Sequence, residues 1–190
     1  MTGTSQTGVS WSRVARRIRV PLGFAFAALY LWLARPTLVS LVLGAAVAAL
    51  GVWVRAVASG HVKKNEELTT TGPYAYCRNP LYLGSIIIAA GFAIASLSIW
   101  VAVAIVVLFV AIYLPVIRSE EGFLRSRFGN YDSYAARVPR LLPTFCGAKN
   151  PGAGFSRELY MQHREYNATL GAMLMLCALA AKLFWYSRLG

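Results

Sequence analysis

The sequence predicts an all-α fold, a polytopic membrane helical bundle of about five transmembrane helices, and three observations carry that prediction. Hydrophobic residues make up 57% of the chain and the mean hydropathy is +0.54, above the roughly 45–50% apolar content of soluble domains. Lys and Arg are absent from Pro36 to Val54 and from Asn79 to Ile117, and each run is long enough to supply the ~20 residues that cross ~30 Å of hydrocarbon. The charges that remain flank these runs instead of interrupting them.

Taken in order, the first span is placed at Val20–Ala34. It is short, but Arg16, Arg17 and Arg19 before it and Arg35 after it reach the two interfaces by snorkelling. A cleaved signal peptide is the rival reading, and Trp32-Leu33-Ala34-Arg35-Pro36 lacks the small-x-small pattern a peptidase needs. Pro36 breaks the helix, and the second span follows at Thr37–Ala58. The third, Leu81–Leu97, and the fourth, Ile99–Ile117, are joined by so short a turn at Ser96-Leu97-Ser98 that they must be antiparallel neighbours.

From Arg118 to Tyr134 charged residues alternate with Phe123, Leu124, Phe128 and Tyr131, the pattern of a helix leaving the membrane and becoming amphipathic. Gly129-Asn130 ends or bends it, and Val138 to Pro143 is extended and proline-limited. Gly147 to Gly154 reads as a linker. A polar helix from about Ser156 then runs into a fifth span at Asn167–Tyr186. At 190 residues the chain is short for two domains, so 1–190 is taken as one integral-membrane domain.

Basic residues set the orientation. Arg13, Arg16, Arg17, Arg19, Arg55, Lys63, Lys64, Arg78 and the cations between Arg118 and Arg164 fall on one side, with Arg35, Lys182 and Arg188 opposite. The N-terminus, the 59–80 loop and the 118–166 segment are therefore expected in the cytoplasm, with the protein in the cytoplasmic membrane of a prokaryote. The formal charge of +12 is explained by anionic lipid headgroups. Nucleic acid is not expected as a partner, because the cations form no stripe with interleaved aromatics. Cys77, Cys146 and Cys177 are odd in number and lack metal-type spacing, so neither a disulfide framework nor a metal site is expected.

Two constellations carry candidate chemistry. Gly60 to Tyr74 is a polar loop that continues into Tyr76, Arg78, Asn79 and Tyr82, crowding hydrogen-bonding groups onto the start of span three. Pro80 suits the first turn of that helix, whose free N–H groups attract an anionic carboxylate. Glu120-Glu121, just past span four, lies at the same membrane depth as Arg78-Asn79, so one carboxylate would face a cationic or hydroxyl-rich ligand. The blander alternatives stay open: a solvated loop, and surface salt bridges of Glu120 and Glu121 with Arg118 and Arg125 worth ~0–1 kcal/mol.

Gly72-Pro73-Tyr74, Arg78-Asn79-Pro80-Leu81-Tyr82-Leu83-Gly84, Glu120-Glu121, Leu124, Phe128-Gly129, Tyr131, Tyr134 and Val138-Pro139-Arg140 with Pro143 together resemble the isoprenylcysteine carboxyl methyltransferase family. That family of integral-membrane enzymes is similar in layout to the phospholipid N-methyltransferases, and the resemblance covers Arg55 to Pro143. It implies an S-adenosylmethionine site at the cytoplasmic ends of the central spans. Carried over by position, Lys64, Glu67, Leu68 and Thr69 would line the cofactor, Tyr74 would close over it, and Asn79, Pro80, Leu81 and Tyr82 would hold its amino-acid end. Glu120 would reach it from span four, and Arg78 and Glu121 complete the expected catalytic set.

Two positions depart from the family. Asn79 stands where a histidine is usual, so no proton transfer is expected there. The arginine that eukaryotic members place one turn before their glutamate falls near Val116, so recognition of a prenylcysteine carboxylate is not implied.

The expected function is methyl transfer to a small lipophilic or lipid acceptor bearing a carboxylate, amine or hydroxyl. For an amine or phenol, Glu121 and His163 are the candidate bases. The alternatives are an NADPH-dependent membrane reductase of the sterol-reductase type and a non-catalytic membrane protein.

Overall fold

A computed structural model describes residues 24–63, 67–144 and 154–189. The basic N-terminal arm, the first residues of span one, Lys64, Cys146 and most of the glycine-rich linker lie outside the described residues. Among the described residues the fold is all-helical: α1 (Phe24–Leu33), α2 (Leu38–Ser59), α3 (Pro80–Ser96), α4 (Ile99–Leu108), α5 (Leu114–Arg127), α6 (Tyr131–Ala135), α7 (Arg157–Gln162) and α8 (Tyr166–Leu189). Among the described residues three helices are long and apolar enough to cross a membrane, α2, the continuous run Ile99–Arg127, and Tyr166–Arg188 of α8, while α1 and α3 are shorter apolar helices. Their outward faces carry Trp53, Trp100, Leu174 and Trp185, as lipid contact requires. The molecule is a helical membrane bundle.

Helix α2 begins in a capping box, with Thr37 Oγ1 accepting from Ser40 N–H and Ser40 Oγ accepting from Thr37 N–H. It packs antiparallel to α3 through small residues. A Cβ on Gly44 would lie 2.5 Å from Gly91 O, and one on Gly51 would lie 2.6 Å from Ile88 N. The close-packing surface seen in Gly44 and Gly51 is thus used within the chain, where side-chain-free contact replaces the hydrophobic drive that lipid removes. Leu97 turns the chain from α3 into α4 with a left-handed φ of 48°.

Span four is longer than the hydropathy alone marks. The helix runs for 29 residues from Ile99 to Arg127, about 43 Å at 1.5 Å per residue, so roughly its last nine residues project beyond a ~30 Å core. A π-turn over Phe109–Tyr113 interrupts it. Pro115 explains the turn, since its ring would strike the carbonyl four residues back and it has no N–H to donate. The polar helix expected to run into span five is broken instead: α7, capped by Ser156 Oγ, stops at His163, and Arg164 at φ 52° redirects the chain into α8.

The two ends of the bundle differ. At one, Tyr30, Ala34, Ala95, Val101 and Leu179 form a core, Tyr30 OH donates to Phe92 O at 2.9 Å, and Lys182 Nζ donates to Ala34 O at 2.7 Å, capping α1. At the other, the end of α2, the head of α3, the projecting part of α5 and the start of α8 meet.

Candidate functional site

Glu121 is the centre of that second end. Its side chain is only 5% exposed, and helix α5 delivers it inward while its neighbour Glu120 remains exposed. Arg140 donates to Glu121 Oε2 from Nε at 3.0 Å and Nη2 at 2.7 Å. Asn79 Nδ2 donates to Oε1 at 3.2 Å, and Arg78 Nη2 lies 3.5 Å from the same oxygen. A buried carboxylate is tolerated only when paired and hydrogen-bonded, and these three residues do that. Arg125 pairs instead with Asp132 at 2.7 Å, and among the described residues it makes no ion pair with Glu120 or Glu121, the surface bridge left open as an alternative.

The segment after α6 locks this centre to the α3 head. Arg78 N–H donates to Pro139 O at 2.9 Å, Thr144 N–H to Tyr76 O at 3.0 Å, and Asn79 Nδ2 to Arg140 O at 3.2 Å. The amide at position 79 therefore acts as a double donor. Cys77 Sγ points to Leu141 O at 3.2 Å, and burial pushes its thiol up against the lowering pull of the Asn79 backbone and Arg78, which leaves it an unreactive packing residue. Tyr131, Tyr134 and Val138 form a small core beneath, with Leu68 and Leu124 against it.

Tyr74 sits in a 3₁₀ turn, Gly72–Ala75, held by the bond from Tyr134 OH to Tyr74 O at 2.7 Å. Gly72 takes φ +57°, and a Cβ there would lie 2.4 Å from His61 Cδ2, so both conformation and space call for glycine. Burial pushes the Tyr74 phenol well up, reinforced by Tyr134 and by the charges of Glu120 and Glu165. The phenol therefore stays protonated at neutral pH, with carboxylates from α5 and from the start of α8 in its electrostatic reach.

The structure thus gathers Arg78, Asn79, Glu121 and Tyr74 at one end of the bundle. Pro80 is buried at the start of α3 with Leu81 and Tyr82 half-buried behind it, and the Tyr82 ring meets Tyr113 edge-on at 5.8 Å beside the π-turn. Leu68 and Thr69 are half-buried on the loop, while Glu67 is exposed and paired with Lys63 at 3.1 Å. His163 is engaged on the end of α2, its Nδ1 donating to Ser59 O at 3.2 Å. Arg140, named only as part of a motif, emerges as the main counterion of Glu121. Its signal in the sequence is faint, because an arginine between two prolines gives no hint of its partner 19 residues back.

A family model for phospholipid methyltransferase matches residues 37–131, from the cap of α2 to the start of α6. The chain belongs to the phospholipid methyltransferase family. This family is part of the isoprenylcysteine carboxyl methyltransferase-like group of integral-membrane methyltransferases. The matched phospholipid methyltransferase region holds Tyr74, Arg78, Asn79, Glu120 and Glu121, and leaves Arg140 and α7–α8 outside.

Among relatives, the chain is 36% identical over 113 residues to the nickel-cobalt-cadmium resistance protein NccN of Alcaligenes xylosoxydans xylosoxydans, covering 59% of this chain and 52% of that protein. It is 36% identical over 110 residues to the cobalt-zinc-cadmium resistance protein CzcN of Cupriavidus metallidurans, covering 57% and 50%. The chain spans about half the length of the curated relatives it matches. No solved structure matches it significantly. Among the described residues no group of three or more His, Cys, Asp or Glu side chains is placed to hold a metal ion.

Proposed function

We propose that this chain is an S-adenosylmethionine-dependent methyltransferase acting on a small lipophilic acceptor at the membrane interface, with the acceptor drawn from the lipid phase. The family match over 37–131 carries the reading, and the chemistry of the α3 head supports it. S-adenosylmethionine presents a carboxylate, an ammonium, a sulfonium and ribose hydroxyls. Arg78 Nε is buried with no partner among the described residues, a donor for a carboxylate. Glu120 is exposed, forms no ion pair among the described residues and lies in reach of Tyr74, an acceptor for a cation. The donor set suits the cofactor.

When bound, the cofactor supplies an activated methyl group. Arg78, Asn79 and the first turn of α3 would hold its amino-acid end, Leu68, Thr69 and Glu67 its remainder, and Tyr74 would close over it. Glu121 has both oxygens engaged, so its part is to fix Arg78, Asn79 and Arg140 in place. In-line transfer needs an acceptor at about 3–3.5 Å and the exclusion of water, and little proton chemistry when the acceptor is already ionised.

Calorimetric titration of detergent-purified protein tests the reading. Saturable binding of S-adenosylhomocysteine, lost in Glu120→Ala, is expected, with no binding of NADPH. Binding of NADPH alone would establish the reductase, and silence from both ligands would favour a non-catalytic membrane protein. The relatives' names motivate a second reading, in which the transfer serves metal resistance; an unchanged cadmium or cobalt tolerance in cells lacking the chain would remove it.

A further inference from the structure

We propose that Glu165 is a positioning residue of this site: through Arg55 it fixes the first turn of α3, making the C-terminal hairpin α7–α8 part of the methyl-transfer machinery. The inference takes its test ligand from the methyltransferase reading, whereas its geometry stands without it.

Glu165 grips Arg55 in a fork: Nε to Oε2 at 3.0 Å, Nη2 to Oε1 at 2.9 Å and Nη2 to Oε2 at 2.8 Å. That leaves Nη1, which donates to Leu81 O at 3.3 Å and to Ser85 Oγ. Ser85 Oγ itself donates to Leu81 O at 3.0 Å. One guanidinium thus joins the start of α8 to the α3 turn that follows Asn79-Pro80. A planar fork holds its position in a way a lysine does not.

Two further features are arranged around this contact. Gly84 lets the stem of Arg55 cross α3, since a Cβ there would lie 2.6 Å from Arg55 Cγ. Arg164 adopts φ 52° immediately before Glu165, a left-handed conformation that a non-glycine residue keeps only when its surroundings over-determine it. The rest of the hairpin is held more simply, by Ser156 N–H on Gly60 O at 2.9 Å and His163 Nδ1 on Ser59 O at 3.2 Å. The forked pair reaches α3 through Arg55, and the Tyr74 phenol lies in the field of the same carboxylate.

Four proteins in detergent decide the matter: wild type, Glu165→Gln, Ser85→Ala, and the charge swap Arg55→Glu with Glu165→Arg. S-adenosylhomocysteine affinity is read by calorimetry beside the unliganded melting temperature. Glu165→Gln is expected to weaken binding at least tenfold, and Ser85→Ala, which leaves the pair intact, three- to tenfold. The swap restores a pair but not the hold on Leu81 O and Ser85, so it should recover the melting temperature and not the affinity. Recovery of both, or affinity within twofold of wild type in Glu165→Gln, would overturn the proposal. Hydrogen exchange in unliganded protein separates this from failure of the methyltransferase reading: Glu165→Gln should speed exchange at residues 83–86 at least tenfold. Unchanged exchange there would overturn the proposal whichever ligand the site takes.

Discussion

Glu120 and Glu121 are adjacent in the chain and opposite in environment, and that difference governs what each substitution will do. Glu121→Ala would strand Arg78 and Arg140; breaking a buried pair costs ~3–5 kcal/mol, and the 42% exposure of Arg140 moves the expectation to the lower end of that range. Thermal unfolding in detergent should therefore show a large loss for Glu121→Ala, and no more than ~0.5 kcal/mol for exposed Glu120→Ala. Equal effects would contradict the assignment. The sequence displays the pair but not this division, because a helix turns about 100° per residue and only the packing of the 138–144 segment says which face is inside. Leu97 offers a second check: at φ 48° a side chain costs about 1–2 kcal/mol that glycine avoids, so Leu97→Gly should raise the melting temperature. Titration supplies a third. Burial raises the Tyr74 and Tyr134 phenols above the ordinary value of 10.0, so the folded state favours the protonated form. Their contribution is fully present below about pH 10 and is lost as pH rises through the higher folded values. Stability should be flat from pH 7 to about 9.5 on this account and fall above 10, with a smaller fall in Tyr74→Phe.

Among elements, α2 and α3 were legible almost to the residue, placed at Thr37–Ala58 and Leu81–Leu97 and found at Leu38–Ser59 and Pro80–Ser96. Hydropathy, Pro36, Pro80 and the Ser96–Ser98 turn mark those limits directly. Three features were not legible for a physical reason each. The π-turn depends on how the helix relieves Pro115, a choice between kink and bulge that composition does not make. The break between α7 and α8 falls at Arg164, a residue with no intrinsic preference for left-handed backbone, next to Glu165, whose partner Arg55 lies 110 residues away in the chain. The depth of Glu121 depends on residues 19 and 42 positions away. Packing between α2 and α3 gives the element-scale prediction. A Cβ on Gly91 would lie 2.6 Å from both Ala48 N and Gly44 O, backbone atoms that cannot step aside. Gly91→Leu should therefore separate the helices and cost at least ~1–3 kcal/mol, read as a lower melting temperature together with weaker S-adenosylhomocysteine binding at the α3 head.

At the scale of the whole molecule, the proposed function requires a water-soluble cofactor and a lipid-dissolved acceptor to meet at a common depth. Helix α5 carries its carboxylates just past the apolar run, the α3 head presents Arg78 and Asn79 at the same end, and Tyr74 lies in the turn just before them. Membership of the phospholipid methyltransferase family supports reading that end as a methyl-transfer site, and the alternative ligands are separable in one assay. Purified protein reconstituted into liposomes of total bacterial lipid, supplied with methyl-labelled S-adenosylmethionine, tests the claim most directly. The account predicts label in the organic phase with wild-type protein and at least a tenfold loss in Glu120→Ala, with excess S-adenosylhomocysteine suppressing the signal. Organic-phase label no higher than in protein-free liposomes, from a preparation that melts cooperatively, would contradict it.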